Sequence, residues 1–174
     1  MKRTLSIFAL ALSAGLLVTS PARAQKPIQL SFVWPIQLHD ESVPIEGIRL
    51  NLLYGRNVSM VGVDLGLINY TTGDETGFQW GLVGMTEGNF KGWQDNFVNL
   101  TRGDLKGLQW GAFNAAGGGE GFQLGIVNYT EGMHGLQISL VNYAETFYGI
   151  QVGVLNIIKS KERFPILPIV NWSF

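Results

Sequence analysis

The sequence predicts an all-β protein, an up-and-down antiparallel meander closing as a roughly ten-stranded transmembrane β-barrel. Three observations predict it. Glycines recur at Gly47, Gly62, Gly77, Gly92, Gly107, Gly121, Gly135 and Gly149, spaced by 15, 15, 15, 15, 14, 14 and 14 residues. Within each unit apolar and polar side chains alternate, the period of an extended strand. Between units lie pieces such as Thr71-Thr72-Gly73-Asp74, Thr86-Glu87-Gly88-Asn89 and Thr101-Arg102-Gly103-Asp104, whose Gly, Asn and Asp suit tight turns.

The chain opens on a different signal. Lys2 and Arg3 precede an apolar run from Leu5 to Val18, and Pro21-Ala22-Arg23-Ala24 supplies a small-residue cleavage site. Residues 1–24 read as a secretory signal peptide, and 25–174 as a single repeat-built β domain. There is no cysteine, which removes disulfides, thiol catalysis and a lipid-anchored N-terminus. Three of the 12 basic residues (Lys2, Arg3, Arg23) belong to the leader, leaving nine against 13 acids. That mild acidity, without a basic stripe, argues against a nucleic-acid partner.

Alternation in the repeats is nearly complete. The first, third and fifth residues after each glycine are apolar, with Asp95 the one exception. The glycine and the second and fourth residues after it are Gly, Gln, Asn, Ser, Arg or Asp. The flanks continue the pattern: Ile28, Leu30, Phe32, Trp34 and Ile36 on one side, Phe164, Ile166, Pro168, Val170, Trp172 and Phe174 on the other. Eight repeat strands and two flanking ones make ten.

Two architectures satisfy such a pattern. A β-solenoid of 14–15-residue coils packs the apolar face inward, turns Gly and Gln to water, and acts as a binding module through that face. A barrel turns the apolar face to lipid and the Gly/Gln face to its lumen. All five tryptophans, Trp34, Trp80, Trp93, Trp110 and Trp172, lie on the apolar face. The third position after the glycine runs Leu50, Leu65, Trp80, Asp95, Trp110, Leu124, Ile138, Val152, and such uneven sizes suit lipid better than a close-packed core. On the barrel reading Leu124→Arg blocks assembly and Gln123→Leu is the better tolerated. Asp95 is costly on an apolar face in either fold.

The end of the chain, with Val170, Trp172 and Phe174 alternating to an aromatic terminus, resembles the assembly signal of bacterial outer-membrane β-barrel proteins. Pro165 and Pro168 sit awkwardly in such a strand. The repeat, as in Gly121-Phe122-Gln123-Leu124-Gly125-Ile126-Val127-Asn128 and Gly149-Ile150-Gln151-Val152-Gly153-Val154-Leu155-Asn156, resembles the bacterial surface repeat-containing protein family over Gly47 to Asn156. The resemblance implies a surface location and no activity. Arg49 and Asp64 depart from its Gln consensus.

The candidate site is correspondingly a belt of amides, Gln79, Gln94, Gln109, Gln123, Gln137 and Gln151, lining the lumen as a polar plug or a narrow path. Arg49 and Asp64 hold the same slot in adjacent strands and are placed to pair. The two histidines, His39 (beside Asp40 and Glu41) and His134, fall at the outer rim without a nucleophile or ordered triad, so no catalytic residues are assigned. No phosphate loop, metal-ligand cluster or nucleotide fingerprint is present, and no cofactor is expected. Asn57-Val58-Ser59 and Asn99-Leu100-Thr101 match glycosylation acceptors by chance. The expected protein is a non-enzymatic component of the cell outer membrane with a structural, adhesive or narrow-pore role. Its expected partners are outer-membrane lipid and the barrel-assembly machinery.

Overall fold

A computed structural model describes residues 24–174. The expected signal peptide, residues 1–24, thus lies outside the described residues but for its last one. The described chain is all strand and connection, without helix. Its elements are β1 (Lys26–Val33), β2 (Ile36–Gln37), β3 (Ile45–Asn57), β4 (Met60–Thr71), β5 (Glu75–Thr86), β6 (Phe90–Trp110), β7 (Phe113–Leu124), β8 (Val127–Ile158) and β9 (Ile166–Ser173).

They form one sheet in the order β2-β1-β3-β4-β5-β6-β7-β8-β9, with parallel pairing from β1 to β8. The register is one repeat: Gly62 lies beside Gly47 and Gly77, and Gln109 beside Gln123. Parallel neighbours need a return path, and each repeat supplies its own by winding once around. The result is a β-solenoid of about eight turns. The expected barrel and its antiparallel meander are therefore corrected. Parallel pairing excludes an up-and-down meander, and each 14–15-residue repeat turns back within itself to lie beside the next instead of crossing a bilayer.

The mid-repeat bend is written in the sequence. After Gly-Φ-Gln-Φ-Gly come two consecutive apolar residues, such as Leu82-Val83 or Ile126-Val127, and alternation slips by one. With that slip Asn, at the seventh position after the glycine, faces the same interior as Gln at the second. The second bend is the Thr-Gly-Asp type of turn. There the Asn89 backbone N–H donates to Asp74 Oδ1 at 2.8 Å, and that of Asp104 to Asn89 Oδ1 at 2.9 Å, so the turns stack coil on coil.

The interior inverts the usual core. Among the described residues 26 polar or charged side chains are buried against nine hydrophobic ones. The buried apolar cluster, including Phe90, Leu105, Met133 and Phe147, lies beside the Thr-Gly-Asp bends. The large apolar residues face outward, with Trp80, Phe97, Trp110 and Leu140 each more than half exposed. The solenoid envisaged from sequence had these faces the other way round. Apolar columns of uneven size are no obstacle to stacking once they point away from the core.

Seven of the eight repeat glycines have φ between 128° and 147°. They also let successive coils approach. A Cβ on Gly92 would lie 2.0 Å from the Gly77 carbonyl oxygen.

Both ends are closed. At the N-terminal end Gln29 sits in the glutamine slot beside Arg49, and its amide bonds both ways with the His39 backbone at 2.9 Å. At the other end β9 turns back antiparallel on β8, bringing Asn171 beside Gln151. Lys161 Nζ donates to Asn171 Oδ1 at 2.7 Å and to the Trp172 carbonyl at 2.9 Å. Pro168, on this outermost strand, has no N–H to offer a further strand, a common protection of sheet edges.

Candidate functional site

The six glutamines form one continuous stack, each fully buried. Gln94 Nε2 donates to Gln79 Oε1 at 3.1 Å, and the pattern repeats from Gln109, Gln123, Gln137 and Gln151 at 2.8, 2.8, 2.6 and 2.7 Å. Coils about 4.8 Å apart put identical amides within reach of each other, and such chains polarise cooperatively. The glutamines also brace the coil across its width, for Gln109 and Gln123 donate to the carbonyls of Ala115 and Tyr129 at 3.1 Å. They line no lumen; they are the filling.

A second stack, the asparagine ladder that the solenoid alternative entails, runs along the opposite limb. Asn99 Nδ2 donates to Asn114 Oδ1 at 2.8 Å, followed by Asn114 to Asn128, Asn128 to Asn142 and Asn142 to Asn156 at 2.8, 3.0 and 2.8 Å. Each of these donates toward the C-terminal end, whereas each glutamine donates toward the N-terminal end. The two rows of amide dipoles therefore oppose each other. The Asn that closes six of the eight units was the signal for it in the sequence. At Gly84 the row lacks its asparagine, and Asn96 fills in, donating to Gln79 Oε1 at 3.0 Å and Asn99 Oδ1 at 2.7 Å.

The glutamine row ends on charge. Arg49 and Asp64, both fully buried, form a two-point ion pair, with Nε to Oδ1 at 2.7 Å and Nη2 to Oδ2 at 2.6 Å. Glu75, which holds an otherwise mainly apolar column, joins them with Oε2 3.8 Å from Arg49 Nη2. Thr71 Oγ1 and Gln79 Nε2 donate to that oxygen at 2.6 and 2.9 Å. The Glu75 oxygen that accepts from both Thr71 and Gln79 is a suitable terminator for a row in which every amide donates toward it.

Two acids and one guanidinium cannot all be neutralised in a dry interior. Burial, with Asp64 adding to it, pushes the Glu75 carboxyl up to about 8, against the opposing pull of Arg49. Burial works against charge on Arg49, but Asp64 and Glu75 outweigh it and raise its pKa. Near neutral pH Arg49 thus stays cationic and Glu75 is mostly protonated.

His39 belongs to the N-terminal cap, while His134 lies in the seventh repeat with its ring 5.1 Å from that of Tyr148. By coil spacing the two are roughly 30 Å apart. Asp95 faces outward, half-buried, with Trp80 in the neighbouring coil beside it.

Fold and side chains together define a β-solenoid with an amide interior and an apolar exterior. No protein-family model, curated protein or solved structure matches the chain.

Proposed function

We propose that this is a non-catalytic, exported binding module that docks through its outward apolar side chains, the amide face being its filling. The observation that carries the reading is the exposed hydrophobic surface. Soluble monomers rarely leave more than a few hundred square ångströms of contiguous apolar surface uncovered. Here Leu, Trp, Phe and Ile line successive coils along the whole solenoid, while the polar residues that normally cover a surface are spent inside it. Export rests on the leader-like segment 1–24. An outer-membrane or cell-surface location fits that segment and the likeness of the repeat to surface repeat-containing proteins.

The reading is tested by sedimentation of the purified chain in aqueous buffer, with and without mild detergent. The expected result is self-association that detergent disperses. A triple variant, Leu67→Ser, Leu82→Ser and Leu140→Ser, keeps the β circular-dichroism spectrum and sediments as a monomer. A wild-type chain that is a lone monomer and binds no detergent would contradict the reading.

A further inference from the structure

Charge and apolar surface are divided between the two bends of the solenoid. The mid-repeat bend and the residues on either side of it carry the first, third, fifth and sixth positions after each glycine. Among the described residues these are apolar in every coil, with Asp95 the sole charge. The opposite bend carries acidic and basic residues: Asp74, Asp104 and Glu131, and pairs such as Arg102 with Glu87 at 2.8 Å and Lys159 with Glu145 at 2.8 Å. Between the two bends, on one face, lies a column of Tyr70, Met85, Leu100, Ala115, Tyr129 and Tyr143, the last two stacked at 5.6 Å. On the other face Thr76, Lys91, Lys106 and His134 hold the corresponding boundary.

We infer that the mid-repeat bend is a lipid-contacting edge: the protein lies with its axis parallel to a bilayer, this bend seated in the outer part of one leaflet and the charged bend in water. The inference rests on the docking reading above and names its partner. Four features choose lipid over a protein surface. The apolar columns cover the bend and both flanks of it, so a flat partner or a second copy reaches one side, whereas fluid acyl chains wrap all three. Column sizes are uneven, as from Leu65 to Trp80 and from Trp110 to Leu124, which lipid tolerates and a close-packed interface does not. The backbone hydrogen bonds run along the solenoid axis from coil to coil, so the bend presents side chains and no open ladder, the condition for contact with hydrocarbon. Tyr70, Tyr129 and Tyr143 on one boundary column, between the apolar bend and the charged one, stand at the level where a leaflet meets water.

The edge is about 34 Å long over eight coils. Its first coils also hold an open groove of about 1000 Å³ bounded by Leu50, Leu65, Trp80, Phe32, Ile36 and Leu38, with no ionisable side chain in its lining. That is room for acyl chains against the protein wall.

The test is flotation of the purified chain with vesicles of phosphatidylcholine, which carry no net charge and so isolate the apolar contribution. Brominated acyl chains serve as quenchers of tryptophan fluorescence. Wild type is expected to float, with Trp80 and Trp110 quenched, the assignment made by Trp→Phe variants. The triple Leu→Ser variant, which retains the leader segment, is expected to lose at least tenfold in vesicle affinity. Asp95→Leu is expected to gain several-fold. Wild type remaining at the bottom, or a triple variant floating equally well, overturns the lipid inference. If that bottom fraction is an oligomer which the triple variant disperses, docking through this edge stands and its partner is protein. If both chains are monomers, docking falls with it.

Discussion

Gln123 Nε2 donates to Gln109 Oε1 at 2.8 Å, one coil away, and Gln123 Oε1 receives Gln137 in turn at 2.6 Å. One buried amide thus satisfies two others. The stability of this interior depends on uninterrupted rows, since a buried donor or acceptor left without a partner costs about 1–3 kcal/mol. The expectations that follow concern the rows, their glycine spacing and their charged terminus.

The repeat glycines set how closely coils stack. Gly92 has φ 134°, and an added Cβ would lie 2.0 Å from the Gly77 carbonyl oxygen. Gly92→Ala is expected to destabilise by about 3 kcal/mol or more, combining backbone strain with steric overlap that backbone cannot relieve cheaply. Urea unfolding followed by circular dichroism measures it. Gly132, whose nearest obstacle to a Cβ is the Thr146 hydroxyl at 2.8 Å, is the comparison site and is expected to lose less.

The Arg49–Asp64 pair replaces two glutamines. Removing one partner strands a buried charge, so Arg49→Gln and Asp64→Gln alone are each expected to cost about 3–5 kcal/mol. The double variant Arg49→Gln, Asp64→Gln restores the repeat consensus and extends the amide row by two coils. It is expected to recover most of that loss, a non-additivity of at least about 2 kcal/mol that a double-mutant cycle reads directly.

Glu75 makes stability depend on pH. Its carboxyl is raised from the ordinary 4.5 to about 8 by burial and by Asp64. Between those values the folded protein keeps a proton that the unfolded chain has lost. The stabilising effect is therefore complete below about pH 4.5 and disappears as pH rises through about 8, with a slope of at most about 1.4 kcal/mol per pH unit. Chemical denaturation at pH 5, 7 and 9 is expected to show falling stability. Glu75→Gln, which keeps the amide-compatible shape without the proton, is expected to flatten this part of the profile and to be the more stable chain at pH 9.

Much of this was legible in the residues, and the misreading has a definite cause. Equal glycine spacing and two-residue alternation specify stacked or adjacent strands, and they specify which side chains share a face. Arg49 and Asp64, in the same slot of consecutive repeats, are neighbours in any such arrangement. What the alternation alone did not decide is which way each face turns, or whether neighbours run parallel. The doublets Leu67-Ile68, Leu82-Val83 and Leu140-Val141 carried that information. A strand crossing a bilayer does not slip phase in every copy at one position, whereas a coil turning a corner does. Glu75 was not legible: it stands in a column otherwise held by residues such as Met60, Phe90 and Leu105, and only the winding brings it to the Arg49–Asp64 pair.

The central claim is that amides fill this molecule and apolar side chains clothe it. Adjacent residues test it most directly, through the unfolding free energies of Gln123→Leu and Leu124→Arg. Gln123→Leu breaks the bonds to Gln109, Gln137 and the Tyr129 carbonyl and is expected to cost about 2–4 kcal/mol. Leu124→Arg, on the outward face, is expected to change stability by under about 1 kcal/mol. The reverse order, with the leucine position intolerant and the glutamine position permissive, would contradict it.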